Sequence, residues 1–334
     1  MKALVIEKPH LAVVKEVPYP HPKPGEITVK VERSGICGTD LHIFEGEYVS
    51  PYPIIPGHEF SGVVHEVGDG VEQFKPGDRV AADPNLFCGR CKYCLTHRAN
   101  QCERFGAVGV TINGSMAEFV AVPAKNAVLL PDSMSFAEGA FIEPLACVVQ
   151  GMNQLQLKAG SRVILFGAGA MGQQLVQAIS RSGASELVVV DVSQEKLDLA
   201  MKYGATKALL SGELQQSGKT LFPDGFDAVV DATGIPAVIE QAFQYLGPSA
   251  TFLQFGVASP NDVVRLSPFQ LYRLEWKLVG TMAINYTFLP AMQWLKEGRF
   301  HVEPLISRTI TLEEAVRFFH GERYPNDLKI QIQL

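Results

Sequence analysis

The stretch from Ser161 to Asp191 limits the fold more than any other. Ser161-Arg162-Val163-Ile164-Leu165-Phe166 reads as a buried strand, and Gly167-Ala168-Gly169-Ala170-Met171-Gly172 follows at once. A helix comes next, with Met171, Leu175, Ala178 and Ile179 on one face. Leu187-Val188-Val189-Val190 is a second strand, and it ends in Asp191, nineteen residues after Gly172. A lone G-x-G-x-x-G is weak. Framed by strand, helix, strand and acid, it is a dinucleotide fingerprint.

The roles follow from sterics and charge. Gly167 permits a tight turn, and Gly169 lets a pyrophosphate approach the amides opening the helix at Ala170 and Met171. Gly172 permits close packing of helix on strand. Asp191 can accept hydrogen bonds from ribose hydroxyls and would repel a 2′-phosphate. No Arg follows it closely, so NAD is expected over NADP. Lys196 either lies over the adenine ribose or is simply solvated, and Ser193 is the expected N-cap of a helix over 194–203.

Further strands are expected at 206–210, 227–232, 251–256 and 276–281, with helices such as 236–246 between them. That spacing predicts a six-stranded doubly wound α/β sheet. Loops at the carboxyl ends of strands face the cofactor, which nominates Gly256-Val257-Ala258 and Thr281-Met282 for the nicotinamide end.

The first part of the chain has another texture. Short strands are expected at 2–7, 11–17, 60–67 and 79–82. Ile27, Val29 and Val31 alternate with polar residues in one more. Pro18, Pro20, Pro22 and Pro24 forbid helix, and Pro76-Gly77-Asp78 is a turn. This is a small, barrel-like β domain. The tail, 287–334, holds two helical stretches, one opened by the capping box Thr311-x-x-Glu314, and a final strand over 328–334.

Composition agrees with two globular domains in 334 residues, with 47% hydrophobic and 19% charged content. A net charge of -6 argues against a nucleic-acid surface. No apolar run approaches the ~18 residues of a membrane span, and Pro9 interrupts the N-terminus too early for a signal peptide. A soluble, cytoplasmic protein is expected.

Four of the six cysteines fall in Cys88-x2-Cys91-x2-Cys94-x7-Cys102. Four thiolates so spaced fit one tetrahedral zinc with no open position, a structural site. Arg90, Lys92, Arg98 and Arg104 offset the negative charge of such a centre. Cys37-Gly38-Thr39-Asp40-Leu41-His42 and, after a Pro- and Gly-rich loop, Gly57-His58-Glu59 bring a thiolate, an imidazole and a carboxylate. A catalytic zinc takes such ligands and keeps one position open. Ser135-x-x-Glu138 is a capping box that should start a helix near Phe136, with Pro144 kinking it.

C-G-T-D-x-H, G-H-E, the four-cysteine lobe and the glycine motif, in this order, resemble the zinc-containing medium-chain alcohol and polyol dehydrogenases. The resemblance covers nearly the whole chain. It implies a GroES-like catalytic domain at 1–150 and 285–334, with a structural-zinc lobe at 85–105. It also implies a Rossmann NAD-binding domain at 151–284, an active site in the cleft between domains, and two zincs per chain. Cys37, His58 and Glu59 would hold the catalytic zinc, with Glu143, in an E-P-L-A stretch, at the metal or its water. Thr39 and His42 match a hydroxyl–imidazole proton relay. The implied reaction is oxidation of a secondary hydroxyl of a polyol to a ketose with NAD, in a homodimer or homotetramer. The segment Gly280–Asn285 lacks the Arg that sorbitol dehydrogenases carry there, so Asn285 or Tyr286 is the expected hydroxyl contact. L-threonine 3-dehydrogenase, which shares C-G-T-D-x-H, and a non-catalytic zinc and NAD(H) sensor are the alternatives.

Overall fold

The computed structural model describes all residues except Val49, Arg323 and Pro325, and omits the side chain of Lys219. The strands of the first part are β1 (Lys2–Lys8), β2 (Leu11–Glu16), β3 (Glu26–Gly35), β4 (Glu59–Val67), β5 (Arg79–Ala82), β6 (Asn85–Leu86), β7 (Gly106–Ala107), β8 (Phe119–Pro123) and β9 (Ala127–Leu129). Those of the second are β10 (Arg162–Phe166), β11 (Glu186–Asp191), β12 (Lys207–Leu210), β13 (Phe226–Asp231), β14 (Leu246–Gln254) and β15 (Lys277–Gly280). The chain ends with β16 (Ile306–Ile310) and β17 (Lys329–Gln333). No helix of the described residues is long and apolar enough to cross a membrane.

Two compact units result: Met1–Ala146 with Ile284–Leu334, and Cys147–Ala283. In the first, the sheet order is β16-β17-β3-β4-β5-β9, and β8 pairs with β3. The alternation Ile27, Val29, Val31 puts three fully buried side chains on one face of β3, against Phe60, Val64, Val80 and Val120. β17 pairs with the other edge of β3, Gln331 opposite Gly35. The C-terminal strand is thereby held beside residues about 300 positions earlier. A second cluster packs Leu4, Ile6, Ile43 and Ile54 against Phe319 and Ile332.

In the second unit six parallel strands run in the order β12-β11-β10-β13-β14-β15. The apolar runs Val163–Phe166 and Leu187–Val190 are buried throughout, as both faces of a parallel sheet demand. The order reverses between β10 and β13, the switch point of a doubly wound sheet.

Local signals perform as chemistry dictates. The side chains of Ser193 and Thr311 cap their helices, and Thr311 with Glu314 closes a capping box. One expectation is corrected. Ser135 and Glu138 do start a helix, but it ends at Ala140, and a new one runs from Ile142 to Leu155. Pro144 therefore kinks nothing. It sits in the first turn of the new helix, where amides have no intrahelical partner to lose.

Candidate active site

Three neighbouring strands deliver their ends to one place. β3 leads through Gly35 to Cys37; β4 opens at Glu59, directly after His58, with Glu59 opposite Gly35. Sulfur, imidazole nitrogen and carboxylate oxygen of Cys37, His58 and Glu59 all lie within 4.8 Å of one another. A Cβ at position 35 would come within 2.1 Å of Glu59 Oε2, so any side chain there would force the carboxylate to move.

Asp40, fully buried, organises the pair Cys37 and His58. One oxygen accepts from the Cys37 amide at 2.8 Å and the other from the Gly57 amide at 3.1 Å. The second oxygen also lies 3.6 Å from His58 Nδ1. Burial works against a charged His58, but Asp40 and Cys37 outweigh it and hold the imidazole well above its ordinary pKa. The donor set therefore suits a divalent cation with nitrogen and sulfur ligands.

Glu59 has a partner that motif reading did not supply. Lys329 Nζ, in β17, reaches both Glu59 oxygens at 2.7 Å and the Ile36 carbonyl at 3.2 Å, and both side chains are buried. Burial lowers the Lys329 pKa, but Glu59 and Cys37 overcome it, and the net shift is upward. Glu59 is thus at once a member of the donor cluster and one half of a buried ion pair.

Glu143 is buried in the first turn of the helix Ile142–Leu155. Its carboxylate is outside the 4.8 Å cluster, yet it feels His58, Glu59, Lys329 and Asp83. Burial pushes its carboxyl up to about 7. Thr39 and His42 share the helix Gly38–Glu45 at a spacing of three, which puts them on one face. Thr39 Oγ1 lies 3.7 Å from Cys37 Sγ, and the half-exposed His42 meets Glu47 at 2.7 Å through Nδ1.

Cys88, Cys91, Cys94 and Cys102 form the other donor group. Two of their Sγ–Sγ separations are 3.5 and 3.9 Å, close to the ~3.8 Å edge of a tetrahedron with Zn–S of about 2.3 Å and far from a disulfide. The Cys94 and Glu103 amides point at Cys91 and bring its thiol down to about 6, whereas burial and the neighbouring sulfurs push Cys94 up to about 12. Asn285 pins this lobe: its Oδ1 accepts from the Ala99 amide at 3.1 Å and its Nδ2 donates to the His97 carbonyl at 2.9 Å. Tyr286 packs its ring edge-on against Phe87 and His97. The Asn285 amide is thus engaged with the lobe, and the Tyr286 ring packs against it.

In the second unit the nominated residues gather at the carboxyl edge of the sheet. Gly167 leaves β10 with φ of 99°, and Gly172 packs so tightly that a Cβ would meet the Gly167 carbonyl oxygen at 2.1 Å. Gly169 caps the helix Ala170–Ser180, so the amides at Ala170 and Met171 open its first turn. Asp191 accepts from the Ala168 amide at 2.7 Å and the Ser193 amide at 2.9 Å, tying the glycine turn to the end of β11. Lys196 is half-buried one turn later. Gly256 and Val257 leave β14, and Thr281 and Met282 leave β15.

The residue that joins these turns is Asp231, which pattern reading missed. Fully buried at the end of β13, it accepts from the Thr233 amide and hydroxyl, the Gly234 amide and Gln254 Nε2, at 2.6–3.1 Å. An aspartate at the end of an apolar strand was its only sequence signal.

Comparison with known proteins gives the arrangement a context. The family model for the alcohol dehydrogenase GroES-like domain matches residues 23–132, and that for zinc-binding dehydrogenases matches 170–297. D-altritol 5-dehydrogenase of Agrobacterium fabrum is 34% identical, over 99% of both chains. D-arabinitol dehydrogenase 1 of Uromyces fabae is 32% identical over 94% of this chain and 91% of its own. A solved zinc-binding dehydrogenase from Sinorhizobium meliloti 1021, bound to NADP, superimposes with a TM-score of 0.96 at 32% identity, covering 100% of this chain and 99% of that one.

Proposed function

The chain belongs to the zinc-containing alcohol dehydrogenase family, and from that premise we propose that it oxidises a secondary hydroxyl of a polyol to a ketone, passing the hydride to NAD. The observation that carries the reading is the mixed donor set Cys37, His58 and Glu59, with Glu143 beside it. The named relatives act on D-altritol and D-arabinitol, which points to a sugar alcohol.

Cys37, His58 and Glu59 would hold the catalytic zinc, with Glu143 buried within electrostatic reach of His58 and Glu59. The zinc supplies Lewis-acid polarisation of the substrate hydroxyl. Thr39 takes the hydroxyl proton while releasing its own, and His42, half in solvent, passes a proton outward. The amides at Ala170 and Met171 hold the pyrophosphate, and Asp191 takes the ribose hydroxyls. Gly256, Val257, Thr281 and Met282 line the nicotinamide end, and Lys196 lies along the ribose. Cys88, Cys91, Cys94 and Cys102 hold the structural zinc.

The working form is a homo-oligomer in the cytoplasm. β15 is an edge strand whose Leu278 is 42% exposed, beside the exposed Phe269 and Tyr272. Unpaired edges with apolar side chains seek a partner, and a two-fold axis would pair this one with itself. Sedimentation should give a dimer or tetramer.

The reading is tested by a panel of pentitols and hexitols against L-threonine and simple alcohols, with NAD and NADP, followed by nicotinamide absorbance. Turnover of sugar alcohols with NAD is expected. Turnover of threonine alone would overturn the polyol assignment, and turnover of nothing would favour a sensor.

A further inference from the structure

The chain crosses from the second unit back to the first between Ala283 and Ile284. Each of the four residues past that crossing is held. Asn85 Nδ2 donates to the Ile284 carbonyl at 3.0 Å, and Ile284 itself is buried. Asn285 Oδ1 accepts from the Ala99 amide and its Nδ2 donates to the His97 carbonyl, both in the four-cysteine lobe. The Tyr286 ring lies against Phe87 and His97. The buried Thr287 hydroxyl donates at 2.7 Å to the carbonyl of Ala146, the last residue before the chain first leaves this unit.

The backbone is strained by that grip. Among the described residues seven that are not glycine have positive φ, and three of them meet here: His97 at 56°, Ala283 at 51° and Tyr286 at 58°. Residues with a Cβ are disfavoured in the left-handed region and stay there only where the surroundings over-determine them. Just before the crossing, by contrast, support is thin. β15 is a four-residue edge strand that pairs with β14 alone among the described residues, and all four positions are exposed or half-exposed. The Thr281 amide reaches the Gln254 carbonyl at 3.3 Å, a long bond. Only Met282 and Ala283 separate that bond from the held Ile284. A loop so short takes its position from the firmer of its two ends.

We propose that Asn285 is a positioning residue: through it the four-cysteine lobe holds the Thr281–Met282 loop in place for the nicotinamide ring, and so strengthens NAD(H) binding at that end. The proposal rests on the reading above that Thr281 and Met282 line the nicotinamide end, and adds what keeps them there. A loop already ordered by the lobe loses less freedom when the cofactor arrives. Coupling of this kind is reciprocal. If the Asn285 bonds favour NADH, NADH favours those bonds by the same factor. ADP-ribose, which lacks only the nicotinamide, should do neither.

NADH affinity is read from its fluorescence, and ADP-ribose affinity from competition with NADH, on the zinc-loaded protein, on Asn285→Ala and on Asn285→Asp. Asn285→Ala should weaken NADH by roughly tenfold and ADP-ribose by less than about twofold, with both zincs kept. Asn285→Asp keeps the acceptor for the Ala99 amide and loses the donor to His97, so its loss of NADH affinity should be about threefold. In the native protein, saturating NADH should slow hydrogen exchange of the Ala99 amide by about the same tenfold, and ADP-ribose should leave it unchanged. That measurement needs no variant to fold. An unmoved NADH/ADP-ribose ratio, a loss shared equally by both ligands, or a variant stripped of the lobe's zinc would overturn the proposal and leave Asn285 a brace of the lobe alone. So would an Ala99 amide indifferent to NADH. If sugar alcohols turn over with NAD while the ratio holds, only the coupling is lost. If the native protein takes up neither ligand, the NAD reading falls and takes the coupling with it.

Discussion

Cys88, Cys91, Cys94 and Cys102 meet within fifteen consecutive residues, whereas Cys37, His58 and Glu59 share their surroundings with Glu143 and with Lys329 near the C-terminus. The first site is local. Short turns bring sulfurs to tetrahedral spacing, backbone amides cage them, and Asn285 ties the lobe down. The second is assembled by a sheet, with β17, β3 and β4 each giving one end, and a helix supplies Glu143. A local site has one chemical task. A site drawn from distant elements can set metal ligand, buried cation and titratable carboxyls against one another, and that makes it adjustable.

The largest separation of the two should come from paired substitutions. Cys37→Ala is expected to lower kcat/KM by about a thousandfold or more, while one zinc, the circular dichroism and NAD binding persist. Cys94→Ala should remove the other zinc and depress thermal stability first. Metal analysis beside kinetics checks both, and loss of both zincs from either variant would break the comparison.

Next is the buried ion pair. Lys329→Met strands the Glu59 carboxylate, and removing one partner of such a pair costs roughly 3–5 kcal/mol. Denaturant unfolding should show that loss. Zinc should dissociate roughly 10–100-fold more readily from the mixed site, with the lobe's zinc retained. Unchanged metal affinity would mean that Lys329 serves packing alone.

A smaller effect concerns pH. Asp83 and Glu143 have carboxyls raised by burial to about 6 and about 7, from ordinary values of 3.8 and 4.5. The folded state therefore binds these protons more tightly than the unfolded chain. Stability is fullest below about pH 4 on this account and declines as pH rises toward 7. In metal-free protein the decline should reach about 2 kcal/mol by pH 5, and Asp83→Asn should remove more than half of it. Chemical denaturation at a series of pH values measures it. A flat native profile would mean that both carboxyls are better solvated than their burial implies.

The smallest is Asp191→Gly, expected to narrow the preference for NAD over NADP by about tenfold, read as a ratio of kcat/KM values. An unchanged ratio would limit Asp191 to the bonds it makes with the Ala168 and Ser193 amides.

Legibility in the sequence followed sequence distance. The cysteine lobe, the glycine turn with its acid, and the caps at Ser135, Ser193 and Thr311 could be read because each is settled within a few turns of chain. Glu143 was reached through resemblance, and the kink assigned to Pro144 was wrong because nothing in the sequence marks the helix break at Phe141. Asn285, expected at the substrate, holds the lobe. Asp40 stands inside a motif, and nothing in their own stretches of sequence marks Asp231, Asp83 or Lys329. Each of these gains its meaning from partners across a sheet or a turn.

By itself, then, the order of residues determined which local structures form and which side chains carry metal and nucleotide chemistry. Spacing, periodicity and capping act over a few residues, and the chain states them directly. Only the tertiary structure decided that a lysine near the C-terminus neutralises Glu59 and that Asp40 ties the Cys37 amide to His58. Strand order and register are fixed by burial of the whole sheet, and that is a property of the folded chain as a unit.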